Sequence, residues 1–155
     1  MTTEIVLSPV AKVVGGRADP VDDQWEGVEA DIVLDERFPE EALLGLEDFS
    51  HLDIVYVFHA VDAAAIVDWA RHPRGREDWP RVGIFAQRAK ARPNRIGVST
   101  CRLLAVAGRA LRVADLDAID GTPVLDIKPH MAEMGPRTPV TEPAWAKELM
   151  AHYWR

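Results

Sequence analysis

Apolar and polar residues exchange places quickly along this chain, and the apolar runs are short. Residues 52–61 (LDIVYVFHAV) form the strongest strand candidate, since β-branched and aromatic side chains suit a pleated, half-buried surface. Residues 28–34 alternate with a period of two, the pattern of a half-buried strand. Residues 4–14 are rich in Ile5, Val6, Leu7, Val10, Val13 and Val14, with a break at Ser8-Pro9. Val82, Ile84 and Phe85 begin another short strand, and Ile96-Gly97-Val98 returns to strand-like sequence. Residues 98–107 and 110–113 read as a hairpin closed near Gly108, and residues 124–127 as a last short strand.

Helical signals are sparse. Residues 39–46 (PEEALLGL) predict one or two turns, with Pro39 at the start and acids in the first turn. A terminal helix is predicted from Thr141 as N-cap, with Pro143 in its first turn and an apolar stripe of Trp145, Leu149 and Trp154. Residues 63–70 are compatible with helix or strand. Residues 17–26, 72–81, 115–123 and 135–139 are loops by their Gly, Pro and charge content. Many short strands with few helices predict a mainly β fold: a small closed or partly closed β-barrel with peripheral short helices and a C-terminal helix.

A length of 155 residues fits a single domain over residues 1–155. No apolar run approaches the roughly 20 residues that span a bilayer, and no basic-then-apolar leader opens the chain. No membrane association is expected, and a cytoplasmic location is. Cys101 is the one cysteine, which excludes an internal disulfide and a multi-cysteine zinc site. It reads as a buried structural thiol. Net charge is −7 but unevenly placed. Residues 71–112 hold 11 Lys/Arg against Glu77 and Asp78, a net of +9, which leaves −16 elsewhere. Any footprint for a polyanion must therefore be local.

The stretch GIFAQRAKARPNRIGVS, residues 83–99, carries the densest chemistry. Arg88, Lys90, Arg92 and Arg95 crowd a loop that Pro93 and Asn94 give a defined shape, so it calls for an anionic ligand or for acids elsewhere in the chain. Asp115, Asp117 and Asp120 precede Gly121-Thr122-Pro123, with Asp126 and Lys128 following. Such carboxylates form turns, or clasp a polar ligand such as a ribose or an amino group. His51, Asp53 and His59 fall on one strand face by spacing, but no second HxxxH or CxxC supports a metal, and none is expected. The glycine-rich dinucleotide fingerprint, the phosphate-binding P-loop and the nucleophile elbow are missing from the sequence.

Three ordered motifs carry a resemblance. GIFAQRAKARPNRIGVS is similar to G-V-F-A-T-R-x-x-x-R-P-N-P-I-G-x-S, and DLDAIDGTPVLDIKPH is similar to D-x-x-D-G-T-P-x-x-D-I-K-P-Y. LEDFSHLDIVYVFH resembles L-x-x-F-S-H-L-x-x-x-x-x-F-H, and Ser8-Pro9 matches the end of the opening strand. The chain thus resembles the TrmO/TsaA-like family over residues 5–130. The resemblance implies an S-adenosyl-L-methionine-dependent methyltransferase acting on N6 of threonylcarbamoyladenosine beside the tRNA anticodon, in a homodimer with cofactor sites near the subunit contact. By position it implies a cofactor pocket of His59, Ala60, Arg88, Val98 and the backbone of Ala114, Asp115, Leu116 and Asp117. Arg88 would pair with the carboxylate of the cofactor's methionine part. Arg92, Asn94, Arg95 and Lys128 are the expected substrate contacts, and Asp120 or Asp126 the candidate base. Gln87 stands for the pattern's Thr, Ala91 for an aromatic, Arg95 for Pro and His130 for Tyr. The alternatives are a small-metabolite acceptor, which the acidic balance outside residues 71–112 favours, and a non-catalytic cofactor- or RNA-binding module.

Overall fold

The computed structural model describes residues 2–155. Six strands close a barrel in the order β1 (Ala11–Val14), β2 (Glu29–Leu34), β7 (Ala110–Ala114), β6 (Ile96–Ala107), β3 (His51–Val57) and β8 (Pro123–Pro129). β8 pairs back onto β1, and all neighbouring pairs are antiparallel. Closure leaves the barrel no open edge. β4 (Ala70–Arg71) and β5 (Val82–Gly83) make a separate two-stranded ribbon beside it.

Period two does the sorting. Leu52, Ile54 and Tyr56 of β3 are buried, while His51, Asp53, Val55 and Val57 alternate with them on the outer face. Val13, Ile32, Leu111, Val113 and Val124 complete the interior, each at most 1% exposed. Each such side chain is worth about 1.5–3 kcal/mol of burial, so the barrel interior dominates stability. Gly108, at φ +60°, takes the left-handed turn that joins β6 to β7.

Several boundaries differ from the sequence reading. In the segment 4–14 only Ala11–Val14 is strand, and Ile5, Val6 and Leu7 are exposed. The slot between β2 and β8 begins at Ala11, and Pro9 has no N–H to offer a neighbour. β3 ends at Val57 because Phe58 N–H turns to Arg95 O and His59 N–H to Val57 O. His59 is therefore off the strand face that holds His51 and Asp53. The segment 63–70 is a 3₁₀ turn, Ala63–Ala65, capped by the Asp62 carboxylate, which runs on into β4. After Gly83 the chain forms another 3₁₀ turn, Ile84–Ala86, leaving Phe85 exposed.

The terminal helix α1 spans Ala144–Met150, later than predicted. Pro143, not Thr141, is its N-cap residue, and no side chain caps it. A residue before proline is pushed out of the helical region, so Glu142 cannot be helical and the helix waits. Beyond α1 the chain docks by a three-bond ladder: Gln24, Trp25 and Glu26 N–H donate to the carbonyls of His152, Tyr153 and Trp154 at 3.0, 2.9 and 2.8 Å. Trp145 packs on Trp79 with centroids 6.5 Å apart, and Trp79 Nε1 donates to Glu148 at 2.8 Å. No helix among the described residues is long and apolar enough to cross a membrane.

Candidate functional site

A cleft of about 780 Å³ opens where β3 ends, β6 begins and the β7–β8 connection crosses the barrel mouth. Its size falls within the range of about 300–1,000 Å³ usual for small-molecule sites. Its walls come from the barrel end (Tyr56, Phe58, Ser99), the loop 87–92 and the C-terminal segment (Trp145, Leu149, Tyr153).

Asp117 is the carboxylate on its floor. Leu116 and Ala118 belong to the buried core, and the alternation turns Asp117 between them toward the cleft. Its Oδ1 accepts from Tyr56 Oη at 2.9 Å and from Ser99 Oγ, and its Oδ2 accepts from Tyr153 Oη. Burial, reinforced by the Asp117 charge, pushes both tyrosine hydroxyls far above their ordinary pKa. Tyr56 and Tyr153 are thus fixed as donors, and Asp117 is a part-buried carboxylate that takes three side-chain hydroxyl bonds. Arg88 lines the same cleft, and its Nη2 donates to Val98 O at 2.7 Å. An anion and a cation facing one cleft suit a zwitterionic ligand that also carries a cationic centre.

Gly97 makes this arrangement possible. A Cβ there would lie 2.7 Å from Tyr56 Cε2 and Cζ and 2.8 Å from Phe58 Cζ, far inside van der Waals contact. The two rings meet edge to face over that bare backbone, with centroids 5.4 Å apart.

The crowded cations are largely accounted for within the chain. Lys90 Nζ donates to Pro20 O at 2.9 Å and sits 3.5 Å from Asp22. Arg92 Nη1 donates to Gln87 O at 2.5 Å, and Arg95 Nη1 to Val61 O at 2.7 Å. These bonds tie the loop to its neighbours; Arg88, Lys90 and Arg92 line the cleft, and Arg95 does not.

The tRNA-methyltransferase O N-terminal domain model matches residues 19–135. The chain belongs to that family. It is 37% identical over 137 residues to a probable S-adenosyl-L-methionine-binding protein of Methanothermobacter thermautotrophicus, covering 84% of this chain and 93% of the relative. It is 43% identical over 104 residues to a probable S-adenosyl-L-methionine-binding protein of Pyrococcus abyssi, covering 66% and 54%. With the tRNA (adenine(37)-N6)-methyltransferase of Escherichia coli it shares 42% over 95 residues, 59% and 40% of the two chains. The crystal structure of TrmO from Pseudomonas aeruginosa superposes with a TM-score of 0.75 at 26% identity, over 94% of this chain and 63% of that one. The chain thus spans about half the length of the Pyrococcus relative and 40% of the Escherichia coli one.

The TrmO-like motifs are brought together unevenly. His59, Ala60, Arg88, Val98, Arg92 and Asp117 all line the cleft. Ala114 is fully buried on β7 and Leu116 lies in the core. Asp115 faces a neighbouring pocket of about 220 Å³ with His51, Arg102 and Trp154. Its Oδ1 accepts from Gly27 N–H at 2.7 Å and its Oδ2 from Arg102 Nε at 2.8 Å. Asp120 accepts from Gly15 N–H at 2.8 Å, in the role of a turn former. Asp126 and Lys128 pair with each other at 3.0 Å on β8, and neither lines the cleft. Asn94 is exposed at φ +62° on the loop tip, and Arg95 follows at φ +50°. Proline is restricted to φ near −65°, so the family's proline cannot occupy position 95 in this backbone.

Three cleft residues escape sequence reasoning: Tyr56, Ser99 and Tyr153. Tyr56 reads as core by its period, and only its hydroxyl reaches the site. Tyr153 lies beyond the residues the family model matches, together with Trp145, Leu149 and Trp154.

Proposed function

We propose that the chain is an S-adenosyl-L-methionine-dependent methyltransferase acting on N6 of an adenine in tRNA, with threonylcarbamoyladenosine beside the anticodon as acceptor. The observation that carries the reading is that Asp117 and Arg88 both line one cleft of about 780 Å³ in a chain of this family. The cofactor's methionine part is a zwitterion next to a sulfonium, and the cleft offers a part-buried carboxylate, a guanidinium and apolar walls. When bound, the cofactor supplies an activated methyl group. Arg88 would hold the carboxylate end, Asp117 would face the cationic end, and Tyr56, Ser99 and Tyr153 keep that carboxylate aimed. Trp145, Leu149 and Tyr153 exclude water from the far wall. Positioning of this kind supplies most of the acceleration expected of such a transfer. Asp120 and Asp126 are committed elsewhere, so no proton transfer is assigned to them.

The same reading has the chain act as a homodimer. Phe85 is 77% exposed beside Ile96 and Val98 at the cleft rim, an apolar edge that a second copy would cover. Trp145 does not add to that surface, since it is spent on Trp79.

One observation favours a small acceptor instead. Of the 11 cations in residues 71–112, Arg74, Arg76, Lys90, Arg102 and Arg112 are paired with carboxylates, which thins the basic face. Transfer of labelled methyl to total tRNA and to a metabolite extract separates the readings. Label in tRNA supports the proposal, label only in the small-molecule fraction replaces the acceptor, and label in neither removes the activity.

A further inference from the structure

Four of the five tryptophans are packed by the chain's own side chains. Arg17 covers Trp25, Arg76 covers Trp79, Trp145 lies against Trp79, and Trp154 meets Tyr153 edge to face. Trp69 is 60% exposed, and among the described residues neither a ring nor a cation stacks on it. Its backbone is braced. Trp69 O accepts from Ile84 N–H at 2.8 Å, which extends the β4–β5 ribbon by one pair, and Val67 N–H donates to Ala91 O at 3.0 Å. Gln87 Nε2 staples the ribbon further, donating to Arg71 O at 3.2 Å and to Val82 O at 3.0 Å. Phe85, the next residue after Ile84, lines the cleft, whereas Trp69 stands outside it. A bare indole on a rigid element beside a site is the kind of surface that binding partners use. The charge around it selects the partner. Residues 68–92 hold seven Lys/Arg against Asp68, Glu77 and Asp78, a net of +4 in a chain of net −7. Arg81 is exposed and enters none of the ion pairs among the described residues. It lies three residues before Ile84, about 10 Å along the strand. A second copy would bring the same positive charge to a self-complementary contact, while a polyanion is attracted.

We propose that Trp69 is a stacking platform for an unpaired base of the RNA, one that flanks the base in the cleft, with Arg81 on the adjoining phosphate. This deepens the function proposed above and rests on its RNA acceptor. It adds a contact on the ribbon, outside the cleft that the cofactor occupies on that account. An indole stacks on the face of any base, so the contact supplies affinity and register without reading sequence. Lifting the target base out of its stack costs free energy. A neighbour held on Trp69 cannot stack back over the target, which offsets part of that cost.

The test uses an anticodon stem-loop RNA and a set of the same RNA with one loop base at a time replaced by an abasic residue. Binding is measured over a salt series for wild type, Trp69→Ala, Trp69→Phe and Arg81→Ala, beside calorimetry of S-adenosylmethionine. Trp69→Ala should bind the intact RNA about five- to hundredfold more weakly, the size of one base–aromatic stack. It should be indifferent to the one abasic position that weakens wild type by the same factor. Its salt slope, its melting temperature and its cofactor affinity should match wild type, since the indole is exposed and uncharged. Trp69→Phe keeps a ring and should recover most of the loss. Arg81→Ala should flatten the salt slope by about 0.7, the share of one phosphate on a single strand. Wild-type RNA affinity in Trp69→Ala would overturn the platform, as would a loss shared equally by every abasic RNA. A shift of Trp69→Ala from dimer to monomer on sedimentation would assign the indole to the subunit contact and overturn it too. Labelled methyl transfer separates this inference from the function beneath it. RNA bound through Trp69 but never methylated overturns the activity and leaves the platform standing. Transfer to RNA that Trp69→Ala performs as well as wild type does the reverse, and wild type that binds no RNA at low salt overturns the platform and the RNA acceptor together.

Discussion

Asp117 is held by Tyr56, and Tyr56 is placed by the missing side chain at Gly97. Gly97→Ala puts a methyl 2.7 Å from the Tyr56 ring, and overpacking of that kind costs about 1–3 kcal/mol. Thermal unfolding should register the loss, and a variant as stable as wild type would show that the rings shift freely. Position 95 gives a prediction against the family pattern. Arg95→Pro restores the residue other members carry, yet φ is +50° there, so it should destabilise by more than about 1 kcal/mol. A stabilised Arg95→Pro would mean the loop adopts a different backbone. Asp115 offers a pH signature. Burial acts to raise its pKa, but the Gly27 N–H and Arg102 outweigh that and hold it below the usual carboxylate value. A depressed folded pKa adds stability above the unfolded value, near pH 4, that is lost as pH falls through the folded one. Asp115→Asn should therefore be less stable at pH 7 and show a shallower acid limb. An unchanged acid limb would remove Asp115 from the account.

At the scale of elements, the C-terminal segment closes the cleft. α1 and the ladder from Gln24 to Glu26 bring Tyr153 to Asp117 from outside the family match. Tyr153→Phe removes one donor to a carboxylate and should cost about 1.5–3 kcal/mol of stability or of cofactor binding. Equal melting and equal affinity in that variant would make the contact ornamental. The strands were readable because one face of each is buried: β2 and β3 alternate cleanly, and the Gly108 turn marks the β6–β7 hairpin. Ends were less legible. Whether residues 4–10 or 58–61 continue a strand depends on a partner strand being there, which is a property of the closed barrel and not of the segment. The acids show the same division. Asp115, Asp117 and Asp120 look alike in sequence, yet only Asp117 lines the cleft: Asp115, at φ +66°, is turned to Gly27 and Arg102, and Asp120 to Gly15. Tyr56 and Ser99 give no signal, since a strand residue reveals its face but not the chemistry waiting at the strand's end.

At the scale of the whole molecule, charge and assembly bear on the acceptor. Six cations of residues 71–112 are left without a carboxylate, so at about 0.9 each the slope of log affinity for RNA against log salt should not exceed about 5 per protomer. A steeper slope would require a basic face this fold does not display. Sedimentation should give about twice 17.2 kDa, with Phe85→Ser shifting the protein toward monomer. The central claim is that the cleft between the barrel mouth and the C-terminal segment holds the cofactor. Calorimetric titration with S-adenosylmethionine tests it most directly, on wild type, Arg88→Ala and Asp117→Asn. The account predicts one site per chain in wild type, with affinity about tenfold to a hundredfold weaker in each variant, the loss of one charged contact. Wild-type affinity retained in both variants would place the cofactor elsewhere and contradict it.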